Sequence, residues 1–176
     1  MGSLDLRHLG ETPGMPGLTP SAGQNLADAA AVCFDECGHR GPIRLKVTGW
    51  RPREYHVIYP EVTDRKRRTH NDHQEATELG ACAVAISVIH DAAGFAVVER
   101  SRKGTGFDYW LGDDCPYPFQ KKARLEVSGI LRGTEGDLER RVNKKCRQTE
   151  RSDCTRMDAF VAVVEFGHPM AKVVKR

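Results

Sequence analysis

Two acidic residues of this chain lie inside apolar stretches, where a charged group is costly to bury. Asp108 belongs to GFDYWLG and Glu126 to KKARLEVSGI, and both stretches have the composition of β-strands. A carboxylate in such surroundings needs a cation or hydrogen-bonding partners to offset its lost hydration. Alternation along a strand places Glu126 on one face with Arg124 and Ser128. If the two strands are neighbours, the two carboxylates lie within a few ångströms of each other.

Paired carboxylates of this kind predict a divalent-cation site. Each raises the pKa of the other unless a cation intervenes. Mg²⁺, with Mn²⁺ as a substitute, prefers oxygen ligands and retains water molecules that can act as nucleophiles. A helix that begins near Asp72 offers Glu75 and Glu78, which share a face because they are three residues apart. The alternative is structural, in which Asp108 and Glu126 form ion pairs with arginines such as Arg124.

The segments around these acids predict the order helix, strand, strand, strand, helix, strand. The expected elements are a helix from about residue 71 to 93, the strands FAVVERS, FDYWLG and KKARLEVSGIL, a helix in GTEGDLERRVNKKCRQTER and the strand MDAFVAVVEF. DDCPYPFQ is expected to be a loop. The pattern predicts a mixed α/β fold (α+β) whose core is a mainly four-stranded mixed sheet flanked by two helices.

The remaining segments predict one domain with an N-terminal elaboration. Residues 1–20 are rich in glycine and proline and are expected to be a flexible lead-in. Residues 21–61 predict a helix followed by a β-hairpin, and residues 70–167 form the core. Residues 21–176 are therefore expected to fold as a single domain.

The order αβββαβ, with an acid on the second strand and another on the third, resembles the PD-(D/E)XK nuclease superfamily, which has the restriction-endonuclease-like fold. The resemblance covers about residues 70–167. It implies a metal-dependent hydrolase of phosphodiester bonds in nucleic acid, in which Asp108 and Glu126 bind Mg²⁺. A glutamate on the preceding helix often completes the site in that family, and Glu78 matches it better than Glu75.

The sequence departs from the family pattern at Ser128. The family has a lysine two residues after the acid of the third strand, where it polarises the attacking water. The basic residue could instead come from another element, and the candidates are Lys103, Arg124, Lys144 and Lys145, with Gln148 also able to face the site. Arginine binds phosphate well but is a poor activator of water. The alternative to a nuclease is therefore a catalytically inactive binding or assembly module of the same fold.

Clustered cations indicate a nucleic-acid partner, with DNA favoured over RNA. One cluster is Arg65-Lys66-Arg67-Arg68, and the other lies on the second core helix and comprises Arg140, Arg141, Lys144, Lys145 and Arg147. Such patches suit a phosphate backbone, although each could equally be a solvated surface. The resemblance places such proteins in defence or repair, alone, as a homodimer or with a partner protein of a larger system.

Length and composition describe a soluble domain. The chain has 176 residues, 39% of them hydrophobic and 29% charged, and its formal net charge is +3. There is no run of eighteen apolar residues and no signal-peptide pattern, so we expect a cytoplasmic protein without a membrane partner. The six cysteines lack the spacing of a zinc site and are expected to be reduced.

Overall fold

All eight strands belong to one mixed sheet in the computed structural model, which describes residues 1–115 and 120–176. The strands are β1 (Gly2–Asp5), β2 (Ile43–Gly49), β3 (Arg53–Ile58), β4 (Phe95–Arg100), β5 (Tyr109–Asp113), β6 (Ala123–Ile130), β7 (Asp158–Glu165) and β8 (Met170–Lys175). Their order across the sheet is β1-β3-β2-β8-β7-β6-β5-β4. The helices are α1 (Pro20–Glu36), α2 (Asp64–Thr69), α3 (His73–Ala93) and α4 (Glu135–Thr149).

The mixed α/β fold and its element order are confirmed. The segment from α3 to β7 runs helix, strand, strand, strand, helix, strand, as predicted for residues 70–167. β5 pairs antiparallel with β6, and β6 pairs parallel with β7. The core sheet has more strands than the four predicted, because β8 was not predicted. β8 joins β7 to β2, so the N-terminal hairpin of β2 and β3 extends the same sheet.

The prediction of a flexible lead over residues 1–20 was wrong. β1 pairs parallel with β3, and a 3-10 helix follows over Leu6–Gly10. Leucines at positions 4, 6, 9 and 18 are buried in the main core. The glycines and prolines form turns between these anchors, and Gly17 donates a 2.8 Å backbone hydrogen bond to Val97 on the outer strand β4. Burial of the leucines thus outweighs the local turn composition.

α3 is the central helix and packs directly against the sheet, with α1 packed on its other side. The Asp72 side chain caps its first turn by accepting from the N–H groups of Gln74 and Glu75, and Gly94 ends it with a left-handed φ of 72°. By length and composition α3 alone among the described helices could cross a membrane, but 61% of its most apolar window is buried in the domain. Most of this apolar window therefore packs inside the domain.

α4 packs on the opposite face of the sheet, over β6, β7 and β8. Thr134 and Asp137 form a capping box at its start. Leu138 and Val142 bury one stripe of the helix against Val163. The next stripe around the helix is polar and faces β6, where the candidate site lies. The central residues of the predicted loop DDCPYPFQ, 116–119, lie outside the described residues.

Candidate active site

The site lies where β5 separates from β6. Tyr109 and Leu111 pair with Leu125 and Ala123, whereas the later part of β6 continues along β7 without β5 beside it. Asp108 bridges the start of this gap. Its backbone N–H donates to Leu125 O over 2.8 Å, and its Oδ2 accepts from the Val127 N–H over 2.9 Å. The Asp108 carboxylate therefore takes the place of a strand partner, although the residue precedes β5.

The path of the chain before Asp108 depends on a glycine. Gly106 has a φ of 87°, and a Cβ there would lie 2.4 Å from the carbonyl oxygen of Gln148 on α4. A side chain at this position would meet both backbone strain and a steric clash. Gly106 therefore lets the turn over residues 101–106 pack against the last turn of α4, which fixes where Asp108 enters the site.

Glu126 is the most deeply buried acid of the site, with 2% of its surface exposed. Its Oε1 accepts from Lys145 Nζ over 2.6 Å and from Gln148 Nε2 over 2.9 Å. Burial, followed by the negative charge of Asp108, raises the pKa of Glu126 to about 7, although Lys145 acts in the opposite direction. The two acids are therefore close enough to interact.

α4 supplies the basic side of the site from one polar stripe. Arg141, Lys145 and Gln148 follow each other at helical spacing and point at β6. Arg141 Nη1 donates to Ser128 Oγ over 2.9 Å. One cation of α4 thus contacts Ser128, and Lys145, one turn later, contacts the acid. The spacing of these residues beside the apolar stripe of Leu138 and Val142 is the signal that distinguishes Lys145 from the other candidates.

An open cavity of about 320 Å³ surrounds the acids. The exposed residues Glu75 and Glu78 line it from α3, as the predicted metal ligands should, and Arg100 Nη2 lies 3.6 Å from Asp108 Oδ1. Among the described residues, however, no group of three His, Cys, Asp or Glu side chains could hold a metal. Glu75 and Glu78 therefore line the approach to the acid pair without completing a three-ligand group with it.

The donor set suits Mg²⁺ or Mn²⁺. Mg²⁺ is usually bound through one or two carboxylates and fills its shell with water and substrate phosphate oxygens. Asp108 and Glu126 supply two carboxylates, and both hydrogen bonds that Glu126 accepts from described residues go to Oε1. The Asp108 charge is one of the causes that raise the pKa of Glu126, and a cation between the two carboxylates would offset that repulsion. The residues present therefore fit a divalent cation with two protein ligands.

Three of the predicted catalytic cations, Lys103, Lys144 and Arg124, do not line this cavity. Arg124 has a structural role instead. Arg124 is 2% exposed and donates to Ser152 Oγ over 2.6 Å and to Met157 O over 2.6 Å. It therefore fastens β6 to the segment between α4 and β7. Lys103 lies in the 101–106 turn, in a neighbouring cavity that shares Asp108 and Glu126. Lys144 lines a third cavity, towards the start of α4.

The two predicted basic patches differ in how far acids neutralise them. On α2, Lys66 pairs with Asp28, Arg67 with Asp35 and Arg68 with Asp64, at 2.8–2.9 Å, and Arg65 is exposed without a salt bridge to the described residues.

On α4, Arg140 pairs with Asp137 and Lys145 with Glu126, while Arg141, Lys144 and Arg147 form no salt bridge with any described acid. The patch on α4 therefore retains more unpaired charge, and it is the one that adjoins the acids.

Comparisons with protein-family models, with curated proteins and with solved structures found no match.

Proposed function

We propose that this protein is a divalent-cation-dependent nuclease that hydrolyses phosphodiester bonds in nucleic acid. The observation that carries the proposal is the convergence of Asp108, Glu126 and Lys145 in one open cavity beside unpaired cations of α4. The PD-(D/E)XK resemblance likewise implies one acid on the second strand, one on the third, and a basic residue that can come from another element. DNA is the substrate that we favour, and a cytoplasmic role in defence or repair is part of the same proposal.

Each residue has a distinct role in this proposal. Asp108 and Glu126 would hold Mg²⁺, which supplies charge neutralisation at the phosphate and a more acidic water. Asp108 is kept in place by the Val127 N–H, and Glu126 by Gln148. Lys145 lies beside Glu126 and can donate to a phosphate oxygen or to the attacking water, which is the role the family assigns to the lysine that Ser128 replaces. Arg141 would orient the phosphate next to Ser128.

A second candidate is a binding module that has the same fold but no catalytic activity. The observation in its favour is that Lys145 already neutralises Glu126 in an ion pair, while Arg141 is engaged with Ser128. Buried ion pairs of this sort also occur without function. Such a module would bind nucleic acid through the cations of α4 in a salt-sensitive way and would not cleave it at any metal concentration.

The test is a cleavage assay with DNA and RNA in Mg²⁺ or Mn²⁺. We expect metal-dependent cleavage by the unmodified chain and a loss of at least 100-fold in Asp108→Asn, since positioned groups of this type each contribute that much. Asparagine is the sharper substitution because its carbonyl oxygen still accepts from the Val127 N–H, whereas alanine would leave that buried donor unpaired. Binding without cleavage on either substrate would favour the second candidate instead.

A further inference from the structure

The acid pair lies between two basic cavities that form one path along β6 and α4. The cavity beyond it towards the start of α4 is lined by Ile130 of β6 and by Arg140, Arg141 and Lys144. The cavity on the other side is lined by Arg102, Lys103 and residues of the 101–106 turn, together with Gln148. β6 and α4 run in opposite directions. The three cavities therefore follow one another in order of rising residue number on α4 and of falling residue number on β6.

The three cavities are neighbours. Asp108, Glu126 and Gln148 line both the acid cavity and the cavity of the turn. Arg141 lines the α4 cavity and donates to Ser128, which lines the acid cavity. Arg141 and Gln148 are seven residues apart on α4, or about 10 Å along the helix axis. At roughly 3.4 Å per nucleotide of a stacked strand, this length covers about three nucleotides.

The cations at both ends of the path are available to a ligand. Arg102 and Lys103 are exposed and form no salt bridge with the part of the chain that the structure describes, and the same holds for Lys144. Gly104 and Gly106, with φ of 93° and 87°, bring the backbone of the turn close to the acids. The turn thus presents two exposed cations in a cavity that Asp108 also lines.

We propose that the 101–106 turn is a second phosphate subsite, on the opposite side of the acid pair from the α4 cations. A continuous strand would pass from the turn across Asp108 and Glu126 to Arg140 and Lys144, with phosphates held on both sides of the reacting one. This inference rests on the proposed nuclease function. It adds that the reaction is internal to the strand, so the protein is an endonuclease that needs no free end.

The test compares three matched double substitutions, each of which removes one arginine and one lysine. Arg102→Ala/Lys103→Ala alters the turn, Arg140→Ala/Lys144→Ala alters α4, and Arg44→Ala/Lys46→Ala is the control. The control residues are exposed on β2, three strands away from β6, or about 14 Å across the sheet. Binding of a fluorescent 12-nucleotide DNA is measured in EDTA over a range of salt concentrations, and unfolding by urea checks that each variant is folded.

We expect the turn and α4 variants each to bind 5- to 20-fold more weakly than the unmodified chain. The slope of log affinity against log salt should fall by about 1 to 1.5 in each, because two phosphate contacts are lost. The control should change affinity less than twofold. In Mn²⁺, the unmodified chain should cut a circular single-stranded DNA as readily as a linear one.

The outcomes separate the two proposals. A turn variant that matches the control, beside a weakened α4 variant, would overturn the second subsite and leave the nuclease proposal standing. Degradation of linear but not circular DNA would overturn internal cleavage. If neither variant differs from the control and the unmodified chain cuts neither substrate, the proposed nuclease function itself fails.

Discussion

Among the described carboxyl groups, Glu126 has the largest rise in pKa. Its carboxyl group is buried beside a second acid, and its pKa of about 7 means that the folded protein holds a proton that the unfolded chain has lost above pH 4.5. Between these values the folded state binds more protons, so stability falls as pH rises from about 4.5 to about 7 and does not recover above that. A site that costs the fold stability at working pH is typical of a functional centre.

Replacing this acid by its neutral isostere should therefore stabilise the protein. We expect Glu126→Gln to raise the free energy of unfolding by about 1 to 3 kcal/mol at pH 8 and to change it little at pH 4.5, because each pKa unit corresponds to about 1.4 kcal/mol. Urea denaturation at both pH values measures this. A variant that is less stable than the unmodified chain at pH 8 would show that the Lys145 ion pair outweighs the burial of charge.

Adjacent lysines on α4 provide a second test at the same scale. Lys145 contacts Glu126, whereas Lys144 lines the neighbouring cavity without a salt bridge to the described residues. Lys145→Gln should lower the cleavage rate at saturating substrate by 100-fold or more, and Lys144→Gln should lower only the affinity for nucleic acid. Equal effects of the two substitutions on the rate would contradict the role given to Lys145.

At the scale of elements, the site depends on how closely β6 approaches its neighbours. Gly129 faces α3, and a Cβ there would lie 2.3 Å from the carbonyl oxygen of Thr77. Gly129→Ala should destabilise the protein by about 1 to 3 kcal/mol, because the helix or the strand must move. The measurement is the urea midpoint, with Gly38→Ala as a control. A Cβ at Gly38 would have no neighbour within 4 Å, so this control measures only the cost of an alanine at a φ of 87°.

Arg124 connects β6 to the segment that leads into β7, which is an element-scale role. Loss of its hydrogen bonds to Thr149, Ser152, Asp153 and Met157 should cost about 2 to 4 kcal/mol in Arg124→Met. The folded fraction of this variant should keep its cleavage rate within a few fold. A large loss of rate without a loss of stability would restore the catalytic role that the sequence predicted for this arginine.

The core elements were predictable because periodicity, caps and strand composition agree over α3 to β7. The acid pair was predictable for a related reason, since a carboxylate inside an apolar strand needs an explanation. The sequence left Lys103, Arg124, Lys144 and Lys145 as alternatives, and only the spacing of Lys145 from Leu138 and Val142 separates it from Lys144. That this stripe of α4 covers Glu126 depends on tertiary packing, which the sequence pattern does not define. β1 was missed because its partner β3 is distant in sequence. β8 forms a hairpin with β7 and was missed because MAKVVK is short and carries two lysines.

At the scale of the whole molecule, one sheet joins the N-terminal segments to the site. β8 links β7 to the hairpin of β2 and β3, and α3 lies between the sheet and α1. The acid pair is at the point where the sheet splits, with α3 glutamates on one side and α4 cations on the other. The N-terminal part therefore supports the central helix, while the chemistry is confined to residues from α3 to α4.

The proposed function requires that Asp108 and Glu126 together bind a divalent cation. The most direct measurement is calorimetric titration of Mn²⁺ into the unmodified chain, Asp108→Asn and Glu126→Gln, with Lys144→Gln as the control. We predict micromolar binding to the unmodified chain and the control, and none to the two acid variants. Affinity should also rise between pH 6 and pH 8, since Glu126 must lose its proton to bind. No binding to the folded, unmodified chain, or unchanged binding to either acid variant, would contradict the account.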